Sequence, residues 1–242
     1  MRRKELDTSF LMLLALDTAT ATASLALYDP ATKTLLFEQT WQAHRHHTQQ
    51  LIPAAQQMLS FLGLDPGAIG ALAVTTGPGS FTGVRVGIST VKGMALGLER
   101  GVRVVGVPTL TVTAAPWLAA AWSIAPAPII CAYVQAGRGR YNWCFFGPED
   151  LLYRPAADAH HAGDAAEFAA VLAAHRAESL WLAGEADAPL AEAVRPLAKV
   201  TLLDAVSAQR RAGTLARLAD LLLDDGVEES ADSLQPLYLR AP

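Results

Sequence analysis

The chain is poor in cysteine and poor in charge. Cys131 and Cys144 are its only thiols, too few for a disulfide framework and at no metal-binding spacing, so both read as buried, reduced residues of a cytosolic protein. Charged residues make up 17% against 52% hydrophobic, a balance that excludes a disordered chain and suits an α/β protein with buried strands. A basic excess is missing too. Lys and Arg number 19 against 23 Asp and Glu, a formal charge of −4, so the chain lacks the electrostatic footprint of a protein that grips nucleic acid unaided. Nor does any apolar run span a membrane. Val104 to Gly137 carries no charge, but Pro108, Pro116, Pro126 and Pro128 divide it into pieces too short to cross. At the start, MRRKELDTSFLMLLALD has a basic tip and an apolar stretch. Glu5 and Asp7 interrupt it and the run ends at Asp17 instead of a small-residue cleavage site, which argues against a signal peptide.

The 242 residues present suffice for one large α/β domain or two lobes of about 100 residues each. Leu13 to Leu16, Ser24 to Tyr28 and Thr34 to Trp41 read as strands, the last two separated by the Asp29-Pro30 turn. Thr48 to Leu62 reads as a helix stopped by Gly63. Pro53 inside it implies that the regular helix begins near Ile52 or that its first turns are kinked. Ile69 to Val74 and Val102 to Val107 read as buried strands joined by a helical crossover, hence parallel. Thr109 to about Trp122 reads as a helix opened by Pro108, and Ala125 to Pro128 as a break between lobes. Strands restart at Ile129 to Val134 and Tyr141 to Phe146, with helices expected over Ala165 to His175, Ala186 to Val194 and Ser207 to Leu223. Hairpins at the start of both halves, followed by β/α alternation, suggest a duplicated architecture.

The segment TTGPGSFTGVRVGISTVKGMALG, Thr75 to Gly97, has the look of a phosphate cradle and fails as one. A P-loop needs Lys and a hydroxyl directly after its final glycine, and Gly83 is followed by Val84 and Arg85. Gly77, Gly79 and Gly83 are spaced one residue too long for the dinucleotide fingerprint. Ser80 is a good N-cap for a helix from Phe81; that end could hold an anion, and capping alone explains the serine equally well. Along the helix, Val84, Ile88, Val91, Ala95 and Leu98 form an apolar stripe suited to packing on a sheet. Beside it Gly83, Gly87, Thr90, Met94 and Gly97 form a second, mostly small stripe. Gly83, Gly87, Gly93 and Gly97 together cost about 3–4 kcal/mol of helix propensity relative to alanine. Close approach of another helix would offset that cost, whether from a partner or from the same chain.

LALDTATATASLAL, HTQQLIP, the Thr75 to Gly97 segment, GVPTL and the closing PLYLR resemble, in order and spacing, the TsaB (YeaZ) family of bacterial tRNA threonylcarbamoyladenosine synthesis. The likeness covers Leu14 to about Thr111 and returns at Pro236 to Arg240. It implies an α/β, two-lobed fold of the actin-like/sugar-kinase/Hsp70 ATPase (ASKHA) kind, each lobe a mixed sheet flanked by helices. The expected division is an extension over 1–11, an N-terminal lobe over 12–107, a divergent C-terminal lobe over 108–226 and a tail over 227–242.

The resemblance further implies a cytoplasmic, non-catalytic subunit without cofactor or metal. It pairs with a TsaD-like catalytic subunit, is joined by a TsaE-like ATPase, can form a homodimer, and meets tRNA only through the complex. The partner transfers the threonylcarbamoyl group to N6 of adenosine 37. The family's docking surface matches the two N-lobe helices, here His47, Thr48, Leu51, Ile52, Ala55, Gly83, Gly87, Thr90, Met94 and Gly97.

Asp17 and Thr18 occupy the place of the fold's first phosphate loop, as a degenerate remnant or as ordinary turn residues. In the second lobe the hairpin reads YVQAGRGRYNW, with Gln135 and Arg140 where the family commonly has acids. That leaves little to hold Mg²⁺, which prefers hard oxygen ligands. Arg138 and Arg140 could meet RNA or an acidic patch, or form a solvated tip. A metal reading of His44, His46 and His47 lacks a third ligand nearby. The rival function is a small-molecule kinase or ATPase of the same superfamily.

Overall fold

The structure, a computed structural model, describes residues 11–44, 46–98 and 101–239. The expected extension over 1–11 falls, apart from Leu11, outside the described residues, as does Arg240 of the closing motif.

Two sheets repeat one pattern. The first comprises β1 (Met12–Asp17), β2 (Thr22–Asp29), β3 (Thr34–Gln42), β4 (Ile69–Thr75) and β5 (Arg103–Val107), in the order β3-β2-β1-β4-β5. The second comprises β6 (Ile129–Gly137), β7 (Arg140–Phe146), β8 (His161–Asp164), β9 (Leu180–Ala183) and β10 (Val200–Leu202), in the order β10-β9-β6-β7-β8. In each, the opening strand is central, an antiparallel hairpin extends one side and two parallel strands the other. That duplication is the two-lobed actin-like/sugar-kinase/Hsp70 ATPase fold. β1, β2 and β4 are buried along nearly their whole length because helices cover both faces.

Helices α1 (His47–Leu62) and α2 (Phe81–Gly97) cover one face of the first sheet, burying Leu51, Met58, Val84, Ile88 and Val91 against Leu14, Leu16, Leu25 and Leu72. Helix α3 (Thr109–Ala121) joins the lobes and packs on β6. α4 (Ala165–Ala174) and α5 (Ala188–Val194) cover the second sheet. α4 starts with a capping box in which Asp164 accepts from the Glu167 amide and Glu167 reaches back to the Asp164 amide. The last helix, α6 (Ala212–Asp224), lies in the stretch expected to form the second lobe, yet it packs on the first sheet. Its Leu215, Ala216, Leu218, Ala219 and Leu222 meet Leu13, Ala15, Ala26 and Val105.

Two expectations about helix bounds need correction. The helix α1 begins at His47 and not near Ile52, running through Pro53, where an amide donor is missing; Pro53 and Gln49, whose carbonyl loses its helical partner, are both exposed. α6 begins at Ala212 and not at Ser207, because Asp204 accepts from the amide and hydroxyl of Ser207 and ties that stretch into a turn. Arg210 therefore sits in a loop.

Among the described residues no helix is long and apolar enough to cross a membrane. The cysteines lie one register position apart across β6 and β7 and enter core clusters on opposite faces of the second sheet. Burial raises both thiols, Cys144 to about 11 and Cys131 well above its ordinary value. Neither should react with a thiol reagent at neutral pH in the folded protein, and both should react in urea; rapid native labelling would contradict this burial.

Candidate functional site

The turn between β1 and β2 sits at the junction of the lobes. Asp17 Oδ1 accepts from the Ala19 amide and from the Thr75 hydroxyl, both at 2.8 Å. Its Oδ2 accepts from Arg210 Nε at 2.9 Å. Arg210 Nη2 donates to Thr20 Oγ1 at 2.8 Å and lies 3.5 Å from Glu185 Oε1, to which the Thr20 hydroxyl donates at 2.9 Å. Asp17 and Arg210 are both buried. The carboxylate that the fold would place beside a metal-nucleotide is thus occupied by three donors of the chain itself, one of them cationic. A guanidinium fills the junction, drawing the first-lobe turn, the second-lobe Glu185 and the loop before α6 into one network. Sequence reading missed Arg210 and Glu185 altogether.

Thr18 explains the first half of the α2 glycine stripe. Its hydroxyl donates to the Gly83 carbonyl at 2.7 Å. A Cβ at Gly83 would collide with the Thr18 carbonyl oxygen, and one at Gly87 would lie 2.5 Å from Thr18 Oγ1 and 3.1 Å from Val74 Cγ2. These glycines let the helix end approach the chain's own hairpin. That corrects the assignment of Gly83 and Gly87 to a partner surface, and a bulky residue at Gly87 would test the fold, not docking. Leu51 and Ala55 are likewise buried under α1, and buried His47 donates from Nε2 to the Thr20 carbonyl, 3.0 Å away. The other histidines of that stretch, His44 and His46, are exposed. Among the described residues no three His, Cys, Asp or Glu side chains come together as a metal site.

The rest of the expected surface is open. Thr48, Ile52 and Gly97 are exposed, and Thr90 and Met94 half-buried, on one side of α1 and α2. A Cβ at Gly93 or Gly97 would meet nothing within 4 Å. Thr48, Phe81, Thr82, Arg85, Val86, Ser89 and Thr90 line a groove of about 450 Å³ between the two helices. Leu96 is 82% exposed and Phe81 64%, far more than apolar side chains of this size show when a fold has covered them. The C-terminal tail borders this face: Leu234 is buried beneath α2, the Leu237 amide donates to the Thr76 carbonyl at 2.7 Å, and Tyr238 meets Arg85.

A family model described as TsaD, tRNA N6-adenosine threonylcarbamoyltransferase, matches residues 41–161, half of the 242-residue chain. The tRNA threonylcarbamoyladenosine biosynthesis protein TsaB of Escherichia coli (strain K12) is 40% identical over 131 residues, 54% of this chain and 53% of that protein. TsaB of Haemophilus influenzae is 44% identical over 89 residues, 37% of this chain and 36% of that protein. YeaZ from Pseudomonas aeruginosa superposes with a TM-score of 0.69 at 26% identity, over 95% of this chain and 100% of that one. The chain belongs to the TsaB/YeaZ branch of the TsaD family. Its matches span about half the length, or less, of these curated relatives.

In the second-lobe hairpin, Gln135 is tied to the start of α5. Gln135 Nε2 donates to the Glu185 carbonyl and to Asp187 Oδ2, both at 3.3 Å. Asp187 Oδ1 also accepts from the Tyr141 hydroxyl at 2.5 Å and from the Leu190 amide at 3.1 Å, capping α5. Burial first, then the bond to Asp187, raises the Tyr141 phenol above its ordinary range. An amide that donates here holds the hairpin to the α5 cap, which a carboxylate could not do. Arg138, in the left-handed region at φ 53°, and Arg140 are exposed at the tip, and neither forms an ion pair among the described residues.

Proposed function

We propose that this chain is a non-catalytic, cytoplasmic subunit that docks through the exposed face of α1 and α2 on a TsaD-like transferase modifying N6 of adenosine 37 in tRNA. A TsaE-like ATPase joins the pair, and tRNA is met through the complex. The observation that carries this reading is the face itself: two neighbouring helices present Ile52, Phe81 and Leu96 to solvent around small residues. Such a surface gains from being covered. The curated relatives are named for threonylcarbamoyladenosine biosynthesis, and the formal charge of −4 suits a protein that leaves RNA to its partner.

The rival kinase or ATPase reading needs a junction open to Mg-ATP, and the Asp17–Arg210 pair stands against it. Light scattering on the chain mixed with its cognate transferase, beside calorimetry with Mg-ATP, separates the two. The expected result is a stoichiometric complex and no heat of nucleotide binding by the chain alone. Gly93→Trp, whose side chain projects into open space on the face, should lose the complex and keep the fold. Micromolar Mg-ATP binding without a complex would establish the kinase or ATPase instead.

A further inference from the structure

The docking face has a charge pattern that bears on which partner covers it. Helix α1 contains no Asp, Glu, Lys or Arg, and α2 contains only Arg85 and Lys92. The net charge of the chain is negative, yet these two helices carry no carboxylate at all. Lys92 is turned to the tail, where Nζ donates to the Asp232 carbonyl at 3.3 Å. Arg85 is left on the groove.

Its guanidinium is held with care. Arg85 Cζ lies 3.5 Å from the centre of the Phe81 ring and 5.5 Å from that of Tyr238, and Nη2 and Nε donate to the Tyr238 hydroxyl at 2.9 and 3.3 Å. Stacking fixes the side chain while leaving its charge uncancelled, since a phenol hydroxyl and two ring faces are neutral. Among the described residues Arg85 forms no ion pair. Of the acids in the adjoining tail, Glu228 and Glu229 pair with Arg103 and Arg154, and Asp232 meets α2 through its backbone carbonyl at Lys92, about two turns from Arg85.

We propose, resting on the docking face described above, that Arg85 selects a different chain bearing a carboxylate opposite it, against a second copy of this chain. A second copy would offer its own α1 and α2, which have no carboxylate to give, and the acid that its tail sets beside α2, Asp232, lies at Lys92, about two turns from Arg85. Self-association through this face therefore desolvates an arginine without a counter-charge, whereas an acidic partner turns the same fixed guanidinium into a bidentate site. Specificity then comes from what the face omits as much as from what it presents.

The test uses Arg85→Met, which keeps the length that packs on Phe81 and Tyr238 and removes the charge, with the cognate TsaD-like transferase as probe. At 50 mM salt the variant should bind the transferase about tenfold more weakly than the wild-type chain, and the gap should close at 500 mM salt, where the wild-type pair is screened. Self-association, followed by sedimentation equilibrium, should strengthen or stay level in the variant. Equal transferase affinity for Arg85→Met and wild type at 50 mM salt overturns the proposal, as does a parallel weakening of self-association. Gly93→Trp is run beside it. If that variant still binds the transferase, the docking face itself is misplaced; if it fails to bind while Arg85→Met binds normally, the face stands and only the charge selection falls.

Discussion

Replacing Gly83 by alanine should destabilise the free chain by about 2–3 kcal/mol, while the same change at Gly93 should stabilise it by about 0.8–1 kcal/mol. Both residues lie in α2, and in both the intrinsic preference of a helix for alanine is the same. Their surroundings decide the sign. At Gly83 the new methyl would run into the Thr18 carbonyl oxygen, an atom of the backbone that cannot swing aside, and the Thr18 hydroxyl bond to the Gly83 carbonyl would be pushed open. At Gly93 nothing lies within 4 Å of the added carbon. Urea denaturation of the two variants reads both shifts; a Gly83→Ala variant as stable as wild type would mean that the β1–β2 turn does not press on α2 as described. Gly87→Ala should fall between, because its nearest contact is the movable Thr18 hydroxyl.

That contrast shows what sequence could and could not say. The strands were legible because β1, β2, β4 and β5 are buried on both faces and read as short apolar runs. The cost of glycines in α2 was legible as well, since propensity is local. What offsets the cost was not, because it depends on which chain segment folds back against each turn of the helix. The four helix glycines divide: Gly83 and Gly87 are compensated inside the chain by Thr18, while Gly93 and Gly97 have no compensation within it. That residual cost on the exposed half is what a docked partner would offset. Pro53 misled for a related reason, as a proline is tolerated wherever the freed carbonyl stays exposed. Arg210 gave no signal at all. In AQRRAG it reads as one of two surface arginines, and its partner Asp17 lies 193 positions earlier in the chain.

Arg210→Ala should lower stability by about 3–5 kcal/mol, a fall of about 10 °C in melting temperature for a chain of this size. The side chains of Asp17 and Arg210 are each 2% exposed, so truncation leaves a carboxylate buried without its counter-charge and Thr20 without its donor. Arg210→Lys keeps the charge but reaches Asp17 and Thr20 with a single point in place of a fork, and should recover part of the loss. A double change, Asp17→Asn with Arg210→Met, removes both charges and keeps the Oδ1 acceptor for Ala19 and Thr75; it should be more stable than Arg210→Ala alone. A melting temperature for Arg210→Ala within about 2 °C of wild type would reduce the network to the standing of a surface ion pair. Because the same guanidinium touches the first-lobe turn and the second-lobe Glu185, hydrogen exchange should rise together in the β1–β2 turn and around residues 183–187. If the destabilised variant still binds the transferase, the two sites divide the work: the buried arginine holds the lobes together where the fold would otherwise hold a ligand, and the outer helices alone do the docking.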